Sequence, residues 1–249
     1  MTLPPTLLIL TPVKDAAPYM AEYFQRLATL TYPKSRLSLG LLEGDSRDDT
    51  YAMALAGVQE MRSAYRRVGV WKRDFGFHLP ADVPRWHEPI QIERRAVLAR
   101  SRNHLLFHAL DDEEYVLWLD VDVVEYPVDI IERLLASGRE IVQPHCVLEY
   151  GGETFDTNGW RDQGRWHLDD MRDEGSVVPL HAVGGTMLLV KGDVHRDGLI
   201  FPPFPYGTGN AYIREGRGEV ETEGLGCMAR DMGYTCWGMP NLEIRHGAW

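Results

Sequence analysis

The sequence predicts an α/β fold with a mostly parallel central sheet flanked by helices. Apolar, strand-like runs at residues 6–10 and 37–42 are each followed by a segment whose apolar residues have helical spacing. This is the β-α-β-α order of a parallel sheet covered by helices. A third apolar run, residues 115–119, leads directly into two carboxylates, Asp120 and Asp122, and open α/β sheets bind ligands beyond the carboxyl ends of their strands.

The first half of the chain supplies most of these elements. A predicted loop over residues 11–15 follows the first strand, and Pro18 suits the first turn of the helix after it, because proline is tolerated there. After the second strand, Asp48 or Asp49 can cap the next helix. The inner face of that helix is assigned to apolar residues with helical spacing, which are Tyr51, Leu55, Val58, Met61 and Tyr65.

The rest of the chain alternates less regularly. Residues 71–91 show no clear period and predict a long loop, and residues 149–178 are polar and rich in Gly, Asp, Arg and Trp, which favours a surface excursion. The remaining predicted elements are, in order, a helix over 92–109, the strand at 115–119, a helix over 130–135, strands at 140–144 and 186–190, a loop over 201–209 and a helix over 222–232.

Composition narrows the functional classes. With 249 residues, of which 44% are hydrophobic and 25% charged, the chain has an ordinary globular composition. Its net charge of -11 and pI near 5.3 argue against non-specific binding of nucleic acid or of an anionic membrane, since both require an excess of Lys and Arg.

Cysteine usage and hydropathy bear on the cellular compartment. The three cysteines, Cys146, Cys227 and Cys236, show no metal-binding spacing, and an odd number cannot form a complete disulfide framework. No apolar run approaches the roughly 20 residues that span a bilayer, and the opening residues lack the basic flank of a signal peptide. We therefore expect reduced thiols, no integral membrane segment and a cytoplasmic location.

The Asp-x-Asp pair predicts a metal site. Residues i and i+2 of an extended segment point the same way, so Asp120 and Asp122 can face one cleft while Val121 turns into the core. Hard oxygen ligands suit Mg²⁺ or Mn²⁺ carrying a diphosphate. The alternative is a pair of solvated aspartates in a turn at the end of the strand.

Further short segments accompany this pair and carry a family resemblance. In chain order they are Leu8-Ile9-Leu10-Thr11-Pro12, Leu30-Thr31-Tyr32-Pro33, Gly44-Asp45-Ser46-Arg47-Asp48-Asp49-Thr50, Ala99-Arg100-Ser101-Arg102-Asn103, Trp118-Leu119-Asp120-Val121-Asp122, Ala182-Val183-Gly184-Gly185-Thr186, Phe201-Pro202-Pro203-Phe204 and Glu221-Thr222-Glu223-Gly224-Leu225. The series resembles the fungal Golgi α-mannosyltransferase family that contains the mannan polymerase subunits, glycosyltransferase family 62. The resemblance covers the chain from about residue 7 to residue 246.

The resemblance implies a Rossmann-like GT-A glycosyltransferase fold, here as a single catalytic domain over residues 1–249. Its nucleotide-binding half would cover about residues 1–125 and its acceptor- and sugar-binding half about residues 126–249. It also implies GDP-mannose as the donor, Mn²⁺ (or Mg²⁺) as the cofactor, retention of the α-configuration, and a carbohydrate or glycoside acceptor. The family members have a membrane anchor and stem before the first strand, so we expect an anchorless, soluble relative with a smaller acceptor. A homo-oligomer is also compatible with the sequence.

The nucleotide is expected at the ends of the first two strands. Thr11, Pro12 and Asp15 lie where GT-A enzymes hold the base and ribose, although a loop and a helix cap would explain them equally well. Glu43 and Asp45 can accept hydrogen bonds from guanine or ribose, and Asp45 can alternatively stabilise a turn.

The helix before the Asp120 strand contributes cationic and amide side chains. Arg95 and Arg102 are two turns apart and share a face, so together with Asn103 they can bind a sugar or diphosphate. For Arg94, Arg95 and Arg100 a solvated basic face is an equal alternative.

The C-terminal part supplies the remaining candidates. The resemblance makes His246 the third metal ligand, although a lone histidine is more often a surface or packing residue. Glu221 and Glu223, together with the metal-binding Asp122, are the catalytic candidates. One of the two glutamates would orient the acceptor hydroxyl or stabilise an oxocarbenium-like transition state, although carboxylates are also favoured at any helix N-terminus.

Two weaker assignments concern the sugar itself. Gly185, in Gly184-Gly185-Thr186, would let the backbone approach the sugar closely. Asp156, Asn158 and Trp160 are candidates for the acceptor side.

Other functions remain open from the sequence. A GT-A transferase can use another nucleotide sugar, and a non-catalytic subunit can bind a nucleotide sugar while holding a partner transferase. A nucleotidyltransferase is disfavoured, because the first loop is not the Gly-rich, lysine-bearing type that those enzymes use.

Overall fold

The computed structural model describes residues 3–79, 83, 87–207 and 218–247. Within these ranges the strands are β1 Leu7–Val13, β2 Leu37–Glu43, β3 Arg67–Lys72, β4 Tyr115–Leu119, β5 Val123–Glu125, β6 Ile141–Val147, β7 Val178–Leu180, β8 Met187–Lys191 and β9 Cys236–His246. The helices are α1 Ala17–Thr29, α2 Thr50–Met61, α3 Glu88–Ala109, α4 Ile130–Ala136, α5 Gly192–Arg196 and α6 Glu221–Asp231. Short 3-10 helices cover Lys34–Arg36 and Asp169–Glu174.

One mixed sheet organises these elements. Its strand order is β3-β2-β1-β4-β8-β6-β9-β5, and β7 also pairs with β9. Strands β1, β2, β3, β4, β6 and β9 run in one direction, and β5, β7 and β8 run in the other. The predicted α/β class, a mostly parallel sheet flanked by helices, is therefore confirmed.

Helices cover both faces of the sheet, which is why its central strands are apolar on both sides. On one face, Met20 of α1 and Val58 of α2 belong to a buried layer that includes residues of β1 and β2. On the other face, Leu105 of α3 and Leu225 of α6 share a layer with Trp118 of β4. The ring of Trp118 is fully buried.

The inner face of α2 differs from the prediction at Leu55, which is 46% exposed. Ala54 and Gly57 are buried instead. A Cβ atom at Gly57 would lie 2.1 Å from the Phe24 ring, so small residues let α1 and α2 approach closely. The prediction favoured large apolar residues and was wrong for Leu55, while Tyr65 is buried but lies beyond the end of α2.

The sequence did not predict β3, β5, β7 or β9. In β9, buried and more exposed residues alternate over Cys236–His246, and the alternation continues through Pro240. The register against β6 shifts between Pro144 and His145. Pro240 therefore lies at an irregularity, where a proline is tolerated in a sheet.

Residues 149–178, predicted as a surface excursion, also contribute buried side chains. Trp160, Leu168 and Met171 within this segment are fully buried, and its end forms the start of β7. Polar composition concealed these buried residues.

The predicted loops also need adjustment. The loop predicted over 71–91 begins within β3 and ends within α3, which starts at Glu88. Parts of two predicted loops lie outside the described residues, namely 80–82, 84–86, 208 and 209.

The parallel strands bring the predicted site residues to one edge of the sheet. β1 and β2 pair in parallel, as do β1 and β4, so their carboxyl ends lie side by side. Asp15, Asp45 and Asp120 follow these ends. Val123, next to Asp122, pairs with His246 of β9, which brings the histidine to the same edge.

None of the helices within the described ranges is both long and apolar enough to cross a bilayer. Cys146, Cys227 and Cys236 are free and buried.

A buried carboxylate ties the opposite end of the sheet together. Glu113 precedes β4, and its Oε1 lies 3.2 Å from Arg66 Nη1 and 2.7 Å from Arg67 Nη2, while its Oε2 accepts a hydrogen bond from Asp111 N. Its side chain is fully buried. Burial alone would raise the pKa of Glu113, but the hydrogen bonds from Arg67 and from the backbone hold it below the usual value.

Replacing Glu113 by Gln should lower the free energy of unfolding by about 1–3 kcal/mol at pH 7, because two arginines lose a buried partner. The folded-state pKa lies below the unfolded value of about 4.3, so the difference should be full above about pH 5 and shrink as the pH falls. Urea unfolding at several pH values measures this. Glu60→Gln, at an exposed position of α2, is the control, and equal stability of the two variants would contradict the prediction.

Candidate active site

Two adjoining cavities open at the carboxyl edge of the sheet. The large cavity has a volume of about 590 Å³ and the small cavity about 370 Å³, and Arg94, Leu98 and Asp122 line both. The predicted residues in the large cavity are Arg95, Arg102, Asp120, Asp122, Gly185, Glu221, Glu223 and His246, together with Asp156 and Asn158. Those in the small cavity are Pro12, Asp15, Asp45 and Asp122.

Thr11, Glu43 and Asn103 line neither cavity among the described residues. The Thr11 hydroxyl donates to Leu119 O at 2.7 Å and lies in β1 rather than in a loop, which ties the ends of two central strands together. Because its side chain is fully buried, it does not reach a nucleotide in this arrangement.

The other two residues also have structural partners. Glu43 accepts a hydrogen bond from Ser46 N at 3.0 Å and pairs with Lys72 at 3.2 Å. Asn103 donates to Phe201 O at 2.7 Å and accepts from Phe201 N at 2.9 Å, so both ends of its amide are occupied. Thr11, Glu43 and Asn103, which were predicted to contact a ligand, therefore bond to other protein groups that support the site.

The small cavity is shaped by two aspartates with left-handed backbone conformations, Asp15 (φ 47°) and Asp45 (φ 60°). The Asp45 carboxylate accepts hydrogen bonds from Phe75 N and Gly76 N, both at 2.9 Å. Burial alone would raise the pKa of Asp45, but these backbone donors lower it. Asp45 therefore holds the loop after β3, which presents Phe75 and Phe77 to the cavity.

Asp122 and His246 are in direct contact in the large cavity. His246 Nε2 lies 3.2 Å from Asp122 Oδ1, and His246 Nδ1 lies 2.7 Å from Gly247 O. Burial alone would lower the pKa of His246, but the hydrogen bond and charge of Asp122 raise it. The Phe155 ring is tilted by 31° over the imidazole at a centroid distance of 4.2 Å, which restricts the ring plane.

Asp120 faces the same cavity. Burial raises its pKa, and Asp122, Glu221 and Asp156 add to this effect while Arg102 opposes it. Carboxylates in such proximity repel one another unless a cation separates them.

Asp120, Asp122 and His246 are chemically suitable ligands for a divalent cation. Within the described ranges no three His, Cys, Asp or Glu side chains already converge as metal ligands. The described lining of the large cavity nevertheless holds five carboxylates and three guanidiniums, an excess of two negative charges. Two carboxylates and an imidazole are ligands that suit Mn²⁺, so Asp120, Asp122 and His246 remain the predicted metal ligands.

Helix α3 contributes ion pairs from Arg95 and Arg102 to the site, whereas Arg100 is exposed, as in the solvated alternative. Arg102 Nε lies 2.8 Å from Glu221 Oε1, and Arg102 Nη2 lies 3.0 Å from Asp120 Oδ1 and 3.3 Å from Gly185 O. Its guanidinium also lies over the rings of Trp118 and Phe201. Arg102 Nη1 has no hydrogen-bond partner among the described residues.

Arg95 forms the second connection between α3 and α6. Its Nη1 lies 2.6 Å from Glu223 Oε2, and its Nη2 donates to Val220 O at 2.6 Å. Trp160 Nε1 donates to Glu223 Oε1 at 2.5 Å. Both oxygens of Glu223 are therefore held.

Two glycines are required by close packing in the site. A Cβ atom at Gly184 would lie 2.2 Å from Asp156 Oδ2, and one at Gly185 would lie 2.7 Å from Arg102 Nη2. Asp156 Oδ2 in turn accepts hydrogen bonds from Gly185 N at 2.9 Å and from Thr186 N at 3.1 Å. The absence of side chains at Gly184 and Gly185 therefore makes room for Asp156 and Arg102, whether or not a sugar also approaches the backbone there.

Some lining residues had no sequence prediction. Phe155 follows β6, and Phe75 and Phe77 follow β3. A predicted β3 would have placed Phe75 and Phe77 after a fourth parallel strand, at the ligand-binding edge. Trp160, expected on the acceptor side, is fully buried behind Glu223.

Comparison with known proteins identifies the family of the chain. The family model of Anp1 matches residues 4–169 and 163–205. The chain belongs to the Anp1 family. The resemblance noted from the sequence is thereby confirmed.

The chain is also similar to named subunits of mannan polymerase complexes. The mannan polymerase complex subunit MNN9 of Candida albicans is 28% identical over 96% of this chain and 74% of its own length. The mannan polymerase II complex ANP1 subunit of Saccharomyces cerevisiae is 27% identical over 96% of this chain and 54% of its own length. This member of the Anp1 family therefore spans only part of these relatives.

Solved structures establish the fold type. The mannosyltransferase PcManGT from Pyrobaculum calidifontis, solved in complex with GDP-Man and Mn²⁺, has a TM-score of 0.59 at 15% identity over 98% of this chain and 57% of that chain. GalNAc-T7 with UDP, GalNAc and Mn²⁺ has a TM-score of 0.57 at 13% identity over 97% of this chain and 44% of that chain. The fold is that of GT-A glycosyltransferases, as predicted.

Replacing Arg102 by Lys should lower the free energy of unfolding by about 2–3 kcal/mol, because an ammonium cannot bond Glu221 and Asp120 as a planar guanidinium does. Chemical denaturation measures the effect. Arg100→Lys, at an exposed position of the same helix, is the matched control. A loss no larger than that of the control would show that the buried pairs contribute little.

Proposed function

We propose that this Anp1-family protein is a metal-dependent retaining α-mannosyltransferase that moves mannose from GDP-mannose to a hydroxyl of a sugar or glycoside. The observation that carries the proposal is the group of Asp120, Asp122 and His246 at the carboxyl edge of a GT-A sheet, in a cavity with excess negative charge. The names of the mannan polymerase relatives and of PcManGT support mannose as the transferred sugar.

Asp120, Asp122 and His246 would hold the divalent cation. When bound, such a cation neutralises negative charge on the departing diphosphate as a Lewis acid. The chain's own part is to keep the ligands in place, through Arg102 on Asp120 and through Gly247 O and Phe155 on His246.

The two cavities suggest how the substrates divide. In the proposed single catalytic domain, the small cavity near the ends of β1 and β2 would take the nucleotide, with Pro12, Asp15 and Phe75 against the base and ribose. The large cavity would take the mannose and the acceptor. Residues 1–125 would thus form the nucleotide half and residues 126–249 the acceptor half, with Arg95 and Arg102 linking them.

Glu223 is the proposed electrostatic group. It lines the large cavity with both oxygens held by fixed donors. A fixed carboxylate there stabilises positive charge as it develops at the anomeric carbon. Glu221 binds Arg102 and acts on the cation site through it. Front-face attack and a covalent intermediate are both compatible with retention.

A non-catalytic role in a complex is the second candidate. The curated relatives are named as subunits of mannan polymerase complexes. That role predicts nucleotide binding without transfer by the isolated chain. The cytoplasmic location and a homo-oligomer remain predictions from the sequence.

Thermal shift with GDP, UDP, GDP-mannose and UDP-glucose, each with Mn²⁺ or EDTA, tests the donor. At a ligand concentration of about 100 times Kd, binding should stabilise the fold by about 2.7 kcal/mol and raise Tm by about 5–10 °C. We expect this shift for the guanine nucleotides with Mn²⁺ only. Product analysis with mannoside acceptors then separates the transferase from the binding subunit.

Asp122→Asn should abolish the Mn²⁺-dependent part of the GDP shift and reduce turnover by at least about 100-fold, because a neutral amide is a poor ligand for a hard cation. The Tm without ligand should stay close to that of the wild type. Asp129→Asn, at a surface position before α4, is the control. Wild-type turnover of the Asp122 variant in EDTA would refute the metal assignment.

A further inference from the structure

Glu223 is held from two sides by groups that come from distant parts of the chain. Arg95 lies 128 residues away in sequence and binds Oε2, and Trp160 lies 63 residues away and binds Oε1. We call Arg95, Trp160 and Glu223 the Glu223 clamp. The indole of Trp160 is fully buried, so its contact with Glu223 is shielded from water.

The indole itself is fixed by the backbone around it. Trp160 forms a bridge with Ala182, in which His181 N donates to Trp160 O at 2.9 Å and Ala182 N donates to the same oxygen at 3.1 Å. α6 packs directly against this bridge, because a Cβ atom at Gly226 would lie 2.6 Å from Ala182 Cα. The segment that carries the indole donor and the helix that carries Glu223 are therefore in direct contact.

We propose that Trp160 is a positioning residue for the transfer reaction, which holds the Glu223 carboxylate in one orientation toward the large cavity. This inference rests on the proposed function. Preorganised charge contributes to catalysis because no reorganisation is needed when the transition state forms. Trp160 does not line the cavity among the described residues, so it acts only through Glu223.

Trp160→Phe tests this role, since it removes the N–H donor and keeps an aromatic ring. We expect kcat to fall by about 10- to 100-fold while KM for the donor stays within about twofold. Trp166→Phe, at a 42% exposed tryptophan of the same segment, is the matched control and should behave as the wild type. A residue that only fills the core would change Tm without this split between kcat and KM.

A double-mutant cycle with Glu223→Gln separates positioning from general packing. If Trp160 acts through Glu223, Trp160→Phe should cause little further loss of kcat in a protein that already carries Glu223→Gln. Substitutions of two residues that act as a unit have non-additive effects. If Trp160→Phe does not fold, the position of the Trp160 indole N–H resonance in the wild type and in Glu223→Gln tests the contact instead. Independent, multiplicative losses would overturn the proposal.

An NMR measurement tests the clamp without any turnover. The chain has seven tryptophans, each with one indole N–H resonance, and a short hydrogen bond to a carboxylate should move that of Trp160 downfield of the others. The resonance should move upfield in Glu223→Gln and keep its position in Glu219→Gln. An unchanged position in Glu223→Gln would show that the clamp does not exist in solution.

Failure of the positioning role of Trp160 can be distinguished from failure of the proposed transferase function. Wild-type transfer, a fall of about 10- to 100-fold in the kcat of Trp160→Phe, an unaffected Trp166→Phe control and the downfield indole resonance together support the positioning role. Wild-type transfer with equal kcat in the Trp160 and Trp166 variants overturns it. If the wild type transfers nothing to any acceptor, the proposed function and the positioning role fail together, while the indole resonance still decides whether the clamp is formed.

Discussion

The buried guanidinium of Arg102 is the interaction on which the arrangement of the site depends. It joins the end of β4, through Asp120, to the start of α6, through Glu221, and to the Gly185 carbonyl. Glu221 adopts a left-handed backbone conformation with φ 62°, which costs conformational energy in a non-glycine residue. Because a planar guanidinium bonds several acceptors at fixed angles, it can hold this strained residue and the strand end in one geometry.

Charge balance explains why so many carboxylates can share one cavity. Arg95 and Arg102 compensate for Glu223 and Glu221 at close range, and both arginines are largely removed from water. Asp120 shares the Arg102 guanidinium with Glu221, and Asp122 pairs with a weaker partner, His246, whose charge depends on pH. Each glutamate therefore has a permanently charged arginine at close range, whereas in the proposed function the two aspartates would share a divalent cation, so the two groups of carboxylates would have different physical roles although they line the same cavity.

The sequence allowed the prediction of features that depend on local pattern. Apolar runs ending in Asp45 or Asp120 follow from strand periodicity, and their meeting at one edge follows from parallel pairing. The contacts of Thr11 with Leu119, of Asn103 with Phe201 and of Glu223 with Arg95 instead join residues 98 to 128 positions apart, which no local window contains. His246 became a candidate only through family resemblance, because β9 carries a proline at its irregular centre.

The polar segment 149–178 shows why average composition misleads at a site. Its many charged residues suit the surface, yet Asp156 holds the Gly185 loop and Trp160 holds Glu223. One buried donor and one buried acceptor fix this wall of the cavity, and they have little effect on the mean polarity of the segment. Its polar exterior keeps the segment on the surface, while its buried side chains give the cavity a rigid side that the central sheet cannot supply, since the sheet reaches the site only through strand ends.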